Sequence, residues 1–206
     1  MILQCRCLGF AVLILGVSAA CTQAGDGTEA AKVMGDVTVA AGEHSGDVST
    51  VNGSIHVRDN AVVANAHTVN GPIRLEQGAR VRGDVNTVNG GLTLAAGAEV
   101  GGQLGNVNGP IHVAAAHVSG SVETVSGGME LGPDAHVDGG LHVHKNDGLL
   151  NWGSVSVPRI VVGPGSRVGG TLNFERKVAL YVSDTATIGP VRGAHIVKYS
   201  GDRPPD

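Results

Sequence analysis

Apolar and polar residues alternate along most of this chain in short stretches that recur at a regular interval of about 19 residues. Five segments carry one four-residue pattern, in which threonine or asparagine and then valine precede an Asn-Gly or Ser-Gly pair. They are 50–53, 68–71, 87–90, 106–109 and 124–127. Such a repeat indicates a solenoid, in which each repeat is one coil stacked on the previous one.

Aligning the repeats places apolar residues in three columns. The alternation around each column predicts short, half-buried strands, and no helical period follows the first 20 positions. The predicted fold is therefore all-β: a single-domain, three-sided parallel β-helix with about 19 residues per coil. The columns are Val51, Val69, Val88, Val107 and Val125; then Val57, Leu75, Leu94, Val113 and Leu131; then Val62, Val81, Val100, Val118 and Val137.

The Asn-Gly pairs predict the corners between strands, because both residue types tolerate the positive φ of a tight turn. Stacking the coils also places the corner asparagines above one another, where their amides can hydrogen-bond as a ladder. This predicted corner ladder comprises Asn52, Asn70, Asn89 and Asn108. A second set of glycines is predicted to point into a narrow interior: Gly83, Gly102, Gly120 and Gly139.

The repeat pattern predicts a β-helix over residues 33–200, preceded by a linker at 21–32 and followed by a polar tail at 201–206. Near its C-terminal end, Tyr181 and Tyr199 are predicted to add bulk to a closing coil or cap. Such a cap would oppose polymerisation at that end.

One insertion interrupts the repeats. Segment 162–172 matches 131–141 at an offset longer than one coil, which places the insertion near 144–158. It contains Trp152, the only tryptophan. The ring, beside Leu149 and Leu150, is either a contact for a sugar or protein partner or part of a hydrophobic lid, and the lid is the favoured interpretation.

Composition narrows the choice of function. Aromatic residues make up only 2% of the chain, which agrees with a thin interior filled by valine, isoleucine and leucine. The 33 glycines follow no Gly-X-Y period, which excludes collagen. The net charge of -4 includes no basic patch, so neither nucleic acid nor an anionic membrane surface is a predicted partner.

The segment 1–20 has the pattern of a secretory signal peptide, with Arg6, an apolar run at 8–17 and then small side chains. Cys21 follows directly, as in the lipidation motif of bacterial lipoproteins, although Ser18 stands where that motif usually has an aliphatic residue. The residue after Cys21 is Thr22 and not aspartate, which resembles the pattern of lipoproteins that are sorted to the outer membrane. Cys21 is therefore the predicted lipidation site, and ordinary cleavage after Ala19 or Ala20 is the alternative.

Nine histidines raise the question of a metal site. His142 and His144 lie on one strand face, and His117 and His136 are predicted to stack in neighbouring coils, with Asp138 and Asp147 as nearby carboxylates. A dependable zinc site needs three or four converging ligands. The spacing alone does not establish such convergence, so the histidines are interpreted as exposed residues, with no metal and no cofactor predicted.

The carboxylates do not form a catalytic set in any predicted column, as a β-helical lyase or hydrolase would require. The six-residue steps are shared with left-handed hexapeptide acyltransferases, but the longer third side and the corner pairs differ from that pattern. The chain is therefore predicted not to be an enzyme.

The Thr-Val-Asn-Gly repeats and the Gly-Asp-Val corners resemble two groups of bacterial proteins over about residues 33–190. One is the bactofilins, polymer-forming cytoskeletal proteins, and the other is a family of adhesin-type β-helices. The resemblance implies a right-handed β-helix without catalytic residues. Bactofilins generally lack a cleavable signal, so the signal here favours the envelope over the cytoskeleton.

Together these features predict a non-enzymatic cell-envelope lipoprotein, held at the outer membrane by its lipid, that acts as a structural or adhesin-like scaffold. Its expected partners are further copies of itself or a cell-wall polymer. The alternative function is a carbohydrate-active enzyme or polysaccharide-binding module on the same scaffold. The alternative location is a soluble periplasmic or secreted protein.

Overall fold

A computed structural model describes residues 28–145 and 157–205. Within these ranges the chain forms 25 strands, every strand pairing is parallel, and no helix occurs. The strands belong to three sheets of nine, nine and seven strands, and successive strands of each sheet come from successive coils. The predicted all-β, three-sided parallel β-helix is confirmed.

The strands are numbered in chain order. Sheet A contains β1 (Thr28–Met34), β3 (Ser45–Asn52), β6 (Ala66–Asn70), β9 (Val85–Asn89), β12 (Leu104–Asn108), β15 (Val122–Thr124), β18 (Leu141–Val143), β21 (Leu172–Phe174) and β24 (Val191–Arg192). Sheet B contains β2 (Val37–Val39), β4 (Ile55–Val57), β7 (Ile73–Leu75), β10 (Leu92–Leu94), β13 (Ile111–Val113), β16 (Met129–Leu131), β19 (Arg159–Val162), β22 (Ala179–Ser183) and β25 (Ile196–Tyr199). Sheet C contains β5 (Val62–Val63), β8 (Arg80–Val81), β11 (Glu99–Val100), β14 (His117–Val118), β17 (His136–Val137), β20 (Arg167–Val168) and β23 (Thr187–Ile188).

The interior is a continuous column of aliphatic side chains from all three sheets. In sheet B, strands such as Ile55–Val57 bury both end residues and direct the middle one outward. The second predicted column is buried throughout, at 2% exposure or less. In the third column the prediction for Val62 is wrong. Val63 is the buried residue of that coil, and it pairs with Val81.

Four of the five valines in the first predicted column face solvent instead of the core, and Val125 is half-buried. Val51, Val69, Val88 and Val107 are 36–40% exposed, whereas the threonine before each of the first three is buried. Strand periodicity explains the inversion: Val85 is buried, so Thr87 points inward with it and Val88 points outward.

The buried threonines satisfy backbone carbonyls at the corners. The hydroxyl groups of Thr50, Thr68 and Thr87 each donate a 3.1 Å hydrogen bond to a glycine carbonyl oxygen in the preceding coil. A buried carbonyl without a donor would cost stability, so a polar side chain is required inside this apolar interior. Asn106 takes the same place in its coil, and its side-chain amide donates a 3.0 Å hydrogen bond to the Gly90 carbonyl oxygen.

Close approach between coils, more than backbone conformation, explains most of the corner glycines. Of the five glycines in the repeated pattern, only Gly71 and Gly109 have positive φ. A Cβ on Gly90, however, would run into the carbonyl of Gly71 in the preceding coil. Among the glycines predicted to point inward, a Cβ on Gly120 or Gly139 would meet the backbone of the coil below.

The first strand begins before the predicted start of the β-helix. β1 begins at Thr28, inside the segment predicted as a linker. The connection between β18, which ends at Val143, and β19, which begins at Arg159, is much longer in sequence than the one between β15 and β16. Trp152, Asp147, the predicted signal peptide and Cys21 lie outside the described residues.

Candidate functional site

A cluster of two histidines and one aspartate occupies the outer face of sheet C. His117 in β14 and His136 in β17 are paired residues on neighbouring parallel strands. Asp138 lies two positions beyond His136, so its side chain is on the same face. We call His117, His136 and Asp138 the His–Asp cluster.

The carboxylate of Asp138 bridges the two imidazoles. One carboxylate oxygen lies 2.8 Å from Nε2 of His117 and the other lies 2.8 Å from Nε2 of His136. The ring centroids are 5.1 Å apart in an edge-to-face arrangement. Because a carboxylate only accepts hydrogen bonds, both Nε2 atoms donate to it.

The electrostatics of the cluster favour an ionised carboxylate. The hydrogen bond from His117 is the main cause that holds the pKa of Asp138 below its ordinary value of 3.8, and His136 adds to the effect. Slight burial acts in the opposite direction. The three side chains are 39–50% exposed, so solvent reaches the cluster.

A second histidine–carboxylate group lies on sheet A. Nε2 of His144 is 3.1 Å from a carboxylate oxygen of Glu123, and its Nδ1 is 3.8 Å from Glu175. The hydroxyl group of Ser121 donates a 2.6 Å hydrogen bond to the other oxygen of Glu123. The ring of His142 stacks beside that of His144, with centroids 6.3 Å apart.

Other carboxylates support the coil backbone. Asp36 accepts a hydrogen bond from the Ser54 N–H at 2.7 Å, and Asp84 accepts one from the Gln103 N–H at 2.8 Å. Each bond joins one coil to the next at a corner. These carboxylates therefore stabilise the stacking of coils, which accounts for their place in the repeat.

The outer face of sheet A also carries an apolar stripe. The valine stripe consists of Val51, Val69, Val88 and Val107, one per coil, with a shallow concavity of about 420 Å³ beside its last two members. Beside the stripe run the predicted corner asparagines. Their side-chain amides form three successive hydrogen bonds of 2.9–3.0 Å, from Asn70 to Asn52, Asn89 to Asn70 and Asn108 to Asn89.

The tail folds over the outer face of sheet B. The guanidinium of Arg159 donates a 2.9 Å hydrogen bond to the Pro205 carbonyl and lies over the Tyr181 ring, 4.9 Å from its centroid. A concavity of about 350 Å³ lies between this tail and strands β13, β16 and β19. Tyr199 is buried, and its hydroxyl group donates a 3.3 Å hydrogen bond to the Val162 carbonyl.

Sequence spacing placed His117 and His136 together but left the direction of Asp138 open. The structure brings all three donors within 4.8 Å of one another, and no other such group of three occurs in the described ranges. The signal was available in the spacing: a residue two positions after a stacked histidine points to the same side. His142 and His144 do not join this cluster.

Scans of this chain against protein-family models, curated proteins and solved structures find no match. Within residues 28–145 and 157–205 there is no helix long and apolar enough to span a membrane.

Proposed function

We propose that this chain is a non-enzymatic scaffold of the bacterial cell envelope, anchored through a lipid on Cys21. The parallel strand pairing that continues through all three sheets, over the described residues, is the observation that carries the scaffold part of the proposal. Three sheets share one narrow core, so the protein is a rod with long, flat side faces. Such a shape suits contact with an extended polymer or with further copies.

The C-terminal end of the rod supports self-association. Ile196 pairs with buried Leu180 and occupies the next place in that column, yet it is 41% exposed. Ile188 and Val191, at the ends of the other two sheets, are only partly buried. Among the described residues, the outermost strands β23, β24 and β25 each have one edge without a partner strand. Unpaired edges beside exposed apolar residues favour strand addition.

Both tyrosines predicted to close this end lie on its flank. Tyr181 belongs to the outward column of sheet B, beside Arg159. Tyr199 contacts the Val162 carbonyl, two strands back in the same sheet. They therefore leave Ile196 accessible for contact with another copy.

The anchor is tested by the intact mass of protein from the membrane fraction of a bacterial host, beside Cys21→Ser. A diacyl- or triacylglyceryl addition on a chain that begins at Cys21 supports the envelope lipoprotein. An unmodified chain cleaved after Ala19 or Ala20 overturns the anchor and leaves a soluble periplasmic or secreted protein.

The scaffold is tested by sedimentation and electron microscopy of purified protein. We expect end-to-end assemblies that Ile196→Lys disrupts, whereas Val51→Lys, at 40% exposure on the flank, is the matched control and leaves them intact. Loss of assembly only in Val51→Lys would instead indicate lateral contacts. Turnover of pectin, alginate or peptidoglycan by the purified protein would overturn the non-enzymatic proposal.

A further inference from the structure

We propose that the His–Asp cluster binds one late first-row divalent metal ion, such as Zn²⁺ or Ni²⁺. The donors are Nε2 of His117, Nε2 of His136 and the carboxylate of Asp138, all within 4.8 Å of one another. This site is independent of the scaffold function, since it involves only the flank of sheet C.

The spacing of the donors is close to what a metal requires. Zinc lies about 2.0–2.2 Å from imidazole nitrogen and carboxylate oxygen, so two ligands of a tetrahedral ion are about 3.4 Å apart. The two nitrogen–oxygen distances are 2.8 Å. An ion therefore needs the side chains to separate by about half an ångström, which rotation of exposed side chains provides.

Rigid strands hold the ligands in place. His117 and His136 are directly paired residues in β14 and β17, and the Asp138 N–H donates a 2.9 Å hydrogen bond to the Val118 carbonyl. The backbone positions of all three ligands are thus fixed by the sheet before any ion binds. Little backbone conformational entropy is therefore lost on binding, which favours affinity.

The ligand types select the metal. Imidazole nitrogen suits zinc, nickel and copper, whereas magnesium and calcium prefer oxygen ligands throughout. In the metal-free cluster a proton lies between each Nε2 and the carboxylate. A bound ion replaces these contacts, and each neutral ring then keeps its one proton on Nδ1. Exposure of the side chains leaves the remaining coordination positions to water.

The charged strand neighbours of the cluster are Glu99 and Arg167, and neither is one of its three donors. Glu99, the strand partner of His117, is 3.2 Å from Arg80 and is therefore occupied by that ion pair. Arg167 is the strand partner of His136 on the other side. The only carboxylate within the cluster itself is Asp138, so its substitution removes the negative charge that the ion requires.

The test is titration of the tag-free, EDTA-treated full chain with ZnCl₂ and with NiCl₂ by isothermal calorimetry. The cysteines are alkylated first, so that thiolates do not contribute. The variants are His136→Ala and Asp138→Asn, and the matched controls are His112→Ala and His144→Ala. Each control histidine is similarly exposed and also contacts a carboxylate.

We expect one ion per chain, with affinity reduced on the order of tenfold or more in His136→Ala and Asp138→Asn and unchanged in both controls. Zinc should also raise the Tm of the wild type but not of Asp138→Asn, because an ion that binds only the folded chain stabilises it. Circular dichroism of each variant checks that it is folded. Undiminished binding in His136→Ala, a loss confined to His144→Ala, or no binding at millimolar metal would each overturn the proposal.

Discussion

The side-chain amide of Asn89 donates a 3.0 Å hydrogen bond to the side-chain oxygen of Asn70 in the preceding coil. Asn89 also accepts a hydrogen bond from Asn108, so it is an interior member of the corner ladder. Every such bond joins one coil to the next, and the ladder therefore stabilises stacking between coils.

The ladder predicts unequal effects of two identical substitutions. Asn89→Ala removes two side-chain hydrogen bonds, whereas Asn108→Ala removes the single bond to Asn89. With about 0.5–1.5 kcal/mol per bond, the loss of unfolding free energy should be about twice as large for Asn89→Ala. Urea denaturation of both variants measures the ratio. Equal losses would show that the stacked amides do not stabilise the fold.

A second prediction concerns the orientation of the repeated Thr-Val pair. Thr87→Val keeps the side-chain shape but leaves the Gly71 carbonyl without its 3.1 Å donor, so it should destabilise the protein by about 1–3 kcal/mol. Val88→Thr changes an exposed residue and should lie within about 0.5 kcal/mol of the wild type. Thermal and urea unfolding measure both. The opposite ranking would mean that valine is the buried residue.

Adjacent glycines provide a third prediction. Gly90→Ala places a methyl group against the Gly71 carbonyl and should cost about 1–3 kcal/mol through overpacking. At Gly91 the nearest atom to a new Cβ lies 3.5 Å away, an ordinary contact, and φ is not positive. Gly91→Ala should therefore be neutral or stabilise by up to about 1 kcal/mol, by restricting the unfolded chain. Similar losses in both variants would contradict the close approach at the corner.

Glu123 predicts a loss of stability in acid. Its partial burial raises its pKa, but the hydrogen bonds from Ser121 and His144, together with electrostatic attraction to His144 and His142, hold that pKa below its ordinary value of 4.5. As pH falls below about 4.5, the unfolded chain takes up the proton first, so the stabilisation from ionised Glu123 is progressively lost.

Unfolding free energies of the wild type, Glu123→Gln and Ser121→Ala, measured from pH 7 down to pH 3, test this prediction. The wild type should lose more stability than Glu123→Gln over the acid range, and Ser121→Ala should be intermediate. If the wild type and Glu123→Gln have the same acid dependence, Glu123 has no lowered pKa.

The repeat length and the apolar columns were enough to predict the fold. In a parallel β-helix each coil repeats the same order of buried and exposed positions, so the coil length equals the period of the sequence. The orientation of the repeated Thr-Val pairs in sheet A was not predicted correctly. Val51 is more apolar than Thr50, so hydrophobicity alone places Val51 in the core. Counting in twos from Val48 gives the observed result, because Thr50 then shares its buried side.

The candidate site was only partly accessible from sequence. Stacking of His117 on His136 follows from their separation by one coil, and the position of Asp138 two residues after His136 predicts that it lies on the same side. The contact between them depends on side-chain rotamers, which spacing does not specify. The role of the corner glycines was also incompletely predicted. Their φ angles are local, whereas the carbonyl that excludes a Cβ belongs to another coil.

Each coil contacts chiefly the coil before it and the coil after it, and the corner bond from Asn89 to Asn70 repeats that relationship. A tandem duplication of one such coil would supply its own core residues, corner donor and ladder amide. Gene-level changes in repeat number can therefore alter the length of this protein in whole-coil steps of about 4.8 Å while preserving its cross-section.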